Sequence, residues 1–141
     1  MTLTLRPAVV TDAVAVAGLM ASTGLKNPLH PADIALNLAE PDRAAWVLTD
    51  GRAYVGYLST QTQADHLMAD LLVVAQGTSP DDLVKAAEQE ARRRRQRRVR
   101  LQVPADDRPL RLALSRYGFA PANAAAPPPG LIAYDRHLTP C

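Results

Sequence analysis

The stretch Leu71-Leu72-Val73-Val74-Ala75-Gln76-Gly77-Thr78-Ser79-Pro80-Asp81-Asp82-Leu83-Val84 decides how the rest of this chain is read. Leu71 to Ala75 is a continuous apolar run, too short for a helix and followed by turn residues, so it predicts a central strand buried on both faces. Gln76, Gly77 and Thr78 make a polar loop. Ser79 is then an N-cap residue, Pro80 suits the first helical position, and Asp82 supplies a carboxylate at the third. From there Leu83, Val84, Ala87 and Ala91 recur at helical spacing, while Lys85, Glu88, Gln89 and Arg92 point elsewhere. Strand, short loop and helix start together are a common cradle for a phosphate-bearing ligand, because the helix N-terminus presents unpaired amides and the positive end of its dipole.

Upstream, Thr2 to Leu5 alternates polar and apolar residues and predicts a first strand, ended by Arg6 and Pro7. Thr11 is expected to cap a helix with Ala13, Val16, Ala17 and Met20 on one face and Gly24 at its end. Pro31 opens a second short helix carrying Ile34, Ala35 and Leu38, and Pro41 prevents its continuation. Ala45 to Thr49 and Ala53 to Thr60 are β-rich runs joined at Asp50-Gly51, a strong hairpin signal. Asp65 to Ala75 continues the sheet. Downstream, Val99 to Val103 alternates as another strand stopped by Pro104. Asp107 is placed to cap a helix with Leu110, Ala113, Leu114 and Tyr117 on one face, closed by Gly118. A stiff loop from Pro121 to Gly130 leads to a last strand, Leu131 to Leu138. The order β-α-α-β-β-β-α-β-α-β predicts an α/β fold on a mixed sheet, read as a single domain over residues 1–141.

With 48% hydrophobic and 21% charged residues, the composition is that of a globular chain rather than a disordered one. The net charge is only +2, and its basicity is local, in Arg92, Arg93, Arg94, Arg95, Arg97, Arg98 and Arg100. Those arginines ring a helix C-terminus, where cations suit the dipole, and no aromatics interleave for base stacking. The run therefore reads as a solvated helix end, with nucleic acid not expected as a partner. No apolar run reaches membrane-spanning length and no signal-peptide pattern opens the chain; with Cys141 the sole cysteine, a cytoplasmic location is expected. His30, His66 and His137 are too scattered for a metal motif, and neither Ser115 nor Cys141 has the neighbours of a nucleophile. Asp70 interrupts an otherwise apolar run, so its carboxylate must find a partner or face a cleft.

Leu5, Arg6, Pro7 and Ala8 with Thr11, Asp12 and Ala13 resemble the first strand and helix of the GNAT superfamily of acetyl-CoA-dependent N-acyltransferases. Trp46 to Tyr57 resembles its second and third strands, and Leu110, Ala113, Leu114, Tyr117, Gly118 and Phe119 resemble its helix ending in a Gly-Phe pair. The resemblance covers nearly the whole chain. It implies acetyl transfer from acetyl-CoA to a small-molecule or peptide amine, and it admits a homodimer. It also implies that the pantetheine arm lies along the fourth strand, at Leu72, Val73 and Val74. The pyrophosphate would then meet Gln76, Gly77, Thr78 and Ser79 at the following helix start. For a general base the candidates are Asp65, His66 and Asp70, on or beside that strand.

Two departures accompany these matches. The family's loop reads R/Q-x-x-G-x-G/A, whereas here a shorter Gln76-Gly77-Thr78-Ser79 has one glycine and leads into Asp81 and Asp82, which oppose an incoming anion. The family's thiolate-protonating tyrosine falls at Leu114, which cannot donate a proton; Tyr117, on a neighbouring helix face, is the candidate substitute. Asp107 stands at the family's asparagine. The alternative reading is a catalytically degenerate domain that binds acyl-CoA weakly or serves as a protein-interaction module.

Overall fold

The computed structural model describes residues 3–23, 29–122 and 127–138. Strand β1 (Thr4–Pro7) is followed by helices α1 (Ala13–Ser22) and α2 (Pro31–Leu38), then by strands β2 (Arg43–Thr49), β3 (Tyr54–Thr62) and β4 (Leu67–Val74). Helix α3 (Asp81–Arg93), strand β5 (Arg98–Pro104), helix α4 (Arg108–Arg116), a two-residue strand β6 (Ala120–Pro121) and strand β7 (Leu131–His137) complete the order. Apart from β6, which falls where a loop was expected, this is the α/β order predicted from the sequence. The strands form one seven-stranded sheet, β1-β2-β3-β4-β5-β7-β6, antiparallel except for the β4–β5 pair.

Helices cover both faces. Val16, Met20 and Ile34 of α1 and α2 pack on Val47, Tyr57, Leu71 and Val73, while Leu83, Ala87 and Leu114 of α3 and α4 pack on Leu48, Leu58, Leu72 and Val74. Consecutive β4 residues thus enter opposite layers, which is why Leu71 to Val74 had to be apolar without a break. Helix α3 lies so close to the sheet that a Cβ on Gly56 would stand 2.8 Å from Leu83 Cδ1 and 3.1 Å from Leu48 Cβ.

Several boundaries differ from the sequence reading, each for a local reason. The first strand runs Thr4–Pro7 rather than Thr2–Leu5; it is an edge strand, where proline is tolerated, and Thr2 lies outside the described residues. A 3-10 turn, Val10–Asp12, precedes α1, so the N-cap is Asp12 and not Thr11; the Asp12 carboxylate accepts the Val9 amide at 2.8 Å. Gly24, the expected end of that helix, lies outside the described residues. The β2–β3 connection uses four residues, Asp50 to Ala53, rather than a two-residue turn, because Asp50 Oδ1 accepts both the Arg52 and Ala53 amides at 2.9 Å. Before α3, Pro80 rather than Ser79 holds the N-cap position, yet Ser79 Oγ still accepts the Asp81 amide at 3.2 Å.

Two charge clusters fasten this frame. Arg6 donates to both Asp12 oxygens at 2.8 and 2.9 Å, and the Tyr54 hydroxyl donates to Asp12 Oδ1 at 2.5 Å. The hydrogen bonds from Arg6 hold the buried Asp12 carboxyl well below the usual carboxylate range. At the far end of α3, buried Glu90 accepts from Arg93 at 2.7 and 2.9 Å and from Arg94 at 2.8 Å. Part of the arginine run is therefore structural, while Arg95 and Arg97 are exposed.

Candidate active site

The parallel ladder between β4 and β5 holds three pairs, Leu67↔Val99, Met68↔Arg100 and Ala69↔Leu101, and then stops. On its other edge β4 stays paired with β3 as far as Val74↔Gly56. Between the pairs Thr60↔Ala69 and Ser59↔Leu71, Asp70 has no opposite residue on β3. That is a β-bulge, which bends the strand and increases its twist at the point where β4 leaves β5. Beyond it β5 pairs with β7 alone, so the β5-facing backbone edge of residues 70–74 has no ladder partner among the described residues.

The wedge opens into a cleft of about 400 Å³. Val74, Ala75, Pro80, Pro104 and Leu110 supply its apolar lining, and Gln76, Gly77 and Thr78 its rim. Those rim residues form a tight turn in which the Thr78 amide donates to the Ala75 carbonyl at 3.0 Å. Gly77 has φ +83°, the position where such a turn calls for glycine. The opposite rim is acidic, with Asp106 and with Asp107, whose Oδ1 caps α4 by accepting the Leu110 amide at 3.2 Å. Another cavity, of about 360 Å³, lies at the β2 edge beyond the end of β1. Its charged residues Arg43, Glu90 and Arg93 are engaged in ion pairs, and through Arg43, the partner of Asp70, it adjoins the point where the wedge begins.

Asp70 stands at the vertex. Its Oδ2 accepts from Arg43 Nη1 at 2.7 Å, and Arg43 also reaches Glu40 at 3.1 Å and Gln61 at 3.3 Å. Arg43 alternates in register with Ala45 and Val47, which places the pair on the α1/α2 face of the sheet. Asp70 Oδ1 is buried without a hydrogen-bond partner among the described residues, while the side chain as a whole is 33% exposed. One carboxylate oxygen is thus anchored and the other is left to meet something else. Buried Tyr57 lies on the same face, its hydroxyl pKa pushed up by burial.

Of the expected cofactor-binding residues, Val74, Gln76, Gly77 and Thr78 line the cleft; Leu72 and Val73 lie on the β4 stretch leading to it with side chains in opposite core layers, and Ser79 precedes the α3 start. The wedge does not gather the remaining candidates. Asp65 precedes β4 at the closed, paired end, bound to His66 at 2.6 Å and Arg98 at 3.1 Å; the hydrogen bond from His66, then the Arg98 charge, lowers its pKa. Tyr117 follows the last turn of α4, half-buried against the α3-side core, whereas the cleft touches the first turn of that helix. The helix spans about 13 Å between them. Leu114 is fully buried in the same core. Sequence reasoning missed Arg43, which it left outside the second strand, and Asp106. The only hint of the bulge was Asp70 itself, a carboxylate inside an apolar run.

A mixed sheet with one bulged strand splaying from a parallel neighbour, flanked by two helices on each face, has the architecture of GNAT acyltransferases. Compared by sequence alone, the chain matches no family model and no curated protein. Compared by structure, it has the GNAT fold. The N-acetyltransferase PaiA of Thermoplasma acidophilum, solved with coenzyme A, superposes with TM-score 0.78 at 10% identity over 97% of this chain and 99% of that one. The GNAT domain of S. lividans PAT gives 0.74 at 16% identity, covering 98% and 92%. An acetyltransferase from Thermus thermophilus gives 0.65 at 22% identity, covering 98% of each chain. Among the described residues no helix is long and apolar enough to cross a membrane.

The residues present fit one part of acetyl-CoA and not another. An unpaired strand edge beside apolar walls suits an extended, amide-bearing arm, which pairs with strand backbone as a further strand would. A diphosphate would meet Asp106 and Asp107 across the mouth.

Proposed function

We propose that this chain transfers an acyl group, acetyl in the first instance, from a pantetheine-type thioester such as acetyl-CoA to an amine. The observation that supports this reading is the coincidence, at one residue, of the β4 bulge, the end of β4–β5 pairing and a half-anchored carboxylate. The thioester supplies an activated carbonyl. The free edge of residues 70–74 orients the arm, and the apolar walls around Val74 and Leu110 keep water from it. An amine arriving on the α1/α2 face meets Asp70, whose unpartnered Oδ1 accepts a proton from the ammonium group, directly or through one water, so that the neutral nitrogen can attack. Arg43 fixes the rotamer of that carboxylate through Oδ2. No tyrosine lines the cleft among the described residues, so the second proton given up by the attacking nitrogen passes through water to the thiolate, which departs as an anion when the C–S bond breaks. Its low basicity relative to an alkoxide makes that feasible.

The acidic mouth and Leu114 favour a second reading, a non-catalytic domain that binds acyl-CoA weakly or binds a protein. Thiol release from acetyl-CoA across a panel of primary and aromatic amines separates the two. Amine-dependent release is expected. Release independent of every amine, with no thermal shift at millimolar thioester, would leave only the non-catalytic domain.

A further inference from the structure

We propose that the cleft selects its acyl donor by the amide-bearing arm alone and that a polyphosphate tail adds nothing to recognition or opposes it. The inference rests on the acyl-transfer reading above and specifies its donor class: thioesters of an uncharged pantetheine type. Two helix starts converge on the mouth, α3 through Pro80 and α4 through Pro109 and Leu110. Such a convergence would ordinarily favour an anion. Here each start already carries its own negative charge. Asp81 and Asp82 occupy the first turn of α3, and Asp107 caps α4 with Asp106 beside it. Three of the amides are also engaged internally: Asp81 N by Ser79 Oγ, Leu110 N by Asp107, and Thr78 N by the Ala75 carbonyl.

Among the described residues, compensating cations stand outside the cleft lining rather than in it. Among the described residues the cleft lining contains two carboxylates and neither lysine nor arginine. The arginine run stands at the other end of α3, about 20 Å away along 13 residues, beyond a Debye length of about 8 Å at physiological salt. Arg108 is exposed beside Asp107, Arg111 is held on the Ala105 carbonyl at 3.0 Å, and Lys85 stands one turn beyond Asp81, so three cations offset the four carboxylates only in part. Deeper in, the wall of Val74, Ala75, Pro104 and Leu110 and the β4 edge from Leu71 to Val74 carry no charge. The polarity of the cleft thus matches a donor that is uncharged along its whole length.

The test compares acetyl-CoA with S-acetylpantetheine as donors to one amine, at low and high salt, in the wild type and in the Asp81→Asn, Asp82→Asn double variant. Wild-type kcat/KM for the two donors is expected to agree within about tenfold, with the acetyl-CoA value rising as salt screens the mouth. The double variant should raise the acetyl-CoA value about three- to thirty-fold and leave the S-acetylpantetheine value unchanged. A preference for acetyl-CoA above about a hundredfold that weakens with salt would overturn the inference while acyl transfer stands. Turnover of neither donor would overturn the acyl-transfer reading and this inference with it.

Discussion

Replacing Asp70 by asparagine separates a catalytic carboxylate from a structural one, because the two roles differ in size. As a structural partner, Asp70 makes one 2.7 Å contact with Arg43, and the two side chains are 33% and 15% exposed. A partly solvated pair of this kind couples by about 0.5–1.5 kcal/mol once screening is counted. As a general base, its loss costs about 10²- to 10⁴-fold in rate, or roughly 3–5 kcal/mol of transition-state stabilisation. The expected result is a kcat lower by about two to four orders of magnitude, with donor binding unchanged and the urea midpoint shifted only as far as the lost pair requires. Arg43→Gln, which frees Asp70 without removing it, should cost a similar amount of stability but at most about tenfold in kcat. A double-mutant cycle on stability then measures the pair, and kcat measures the base. Equal losses of kcat in the two single variants, with no further loss in the double, would refute the assignment and make Asp70 an anchor for Arg43.

Further expectations bear on the frame around the wedge. Gly56→Ala should destabilise by about 1–3 kcal/mol, read from the urea midpoint, since the new Cβ would press on Leu83 and Leu48 beneath α3. Gly77→Ala should cost about 1–2 kcal/mol through its positive φ, although nothing lies within 4 Å of the added carbon; a neutral change would mean the turn relaxes. Ser79→Ala should cost about 1 kcal/mol by freeing the Asp81 amide, the loss appearing in the urea midpoint. Asp12, its pKa lowered by Arg6, stabilises the fold above its unfolded pKa of about 4 and ceases to do so as pH falls toward the folded value. Asp12→Asn should therefore flatten the decline of urea midpoint below about pH 4, and an unchanged acid limb would exclude the Arg6–Asp12 pair as its source.

The element order was readable because each element carries its own signal. Helical spacing marked α3, Pro31 opened α2, and Asp107 capped α4 through the Leu110 amide as expected. What escaped was register. A bulge adds one residue without altering composition, so Leu67 to Val74 reads as an unbroken strand although its phase shifts at Asp70. Arg43 was missed for a related reason. Its place in β2 depends on pairing with Gln61 across the sheet, a contact 18 residues distant that no local pattern encodes. Glu90, which no sequence signal singled out, is the buried hub for Arg93 and Arg94. The four-residue β2–β3 turn was likewise decided by one side chain, since Asp50 accepts two amides that a two-residue turn would have left elsewhere.

The residues that suggested the fold and those that would perform the chemistry are different residues. Arg6 and Asp12 clamp the first strand to the first helix with Tyr54, Gly118 turns at φ +89°, and Phe119 fills the core; none of them lines the wedge. At the wedge itself the turn is short, the mouth acidic and the helix face toward the core closed by Leu114. Likeness in the clamps therefore supports the architecture without extending to donor recognition. The architecture still fixes one chemical fact: a parallel pair that splays at a bulge leaves a stretch of strand backbone with no ladder partner on one edge among the described residues. Backbone groups on such an edge are costly to bury alone and readily matched by an amide-bearing chain laid alongside. On the acyl-transfer reading, the arm of a donor would be selected by backbone, which tolerates sequence change, and its tail by side chains at the rim, which here are acidic.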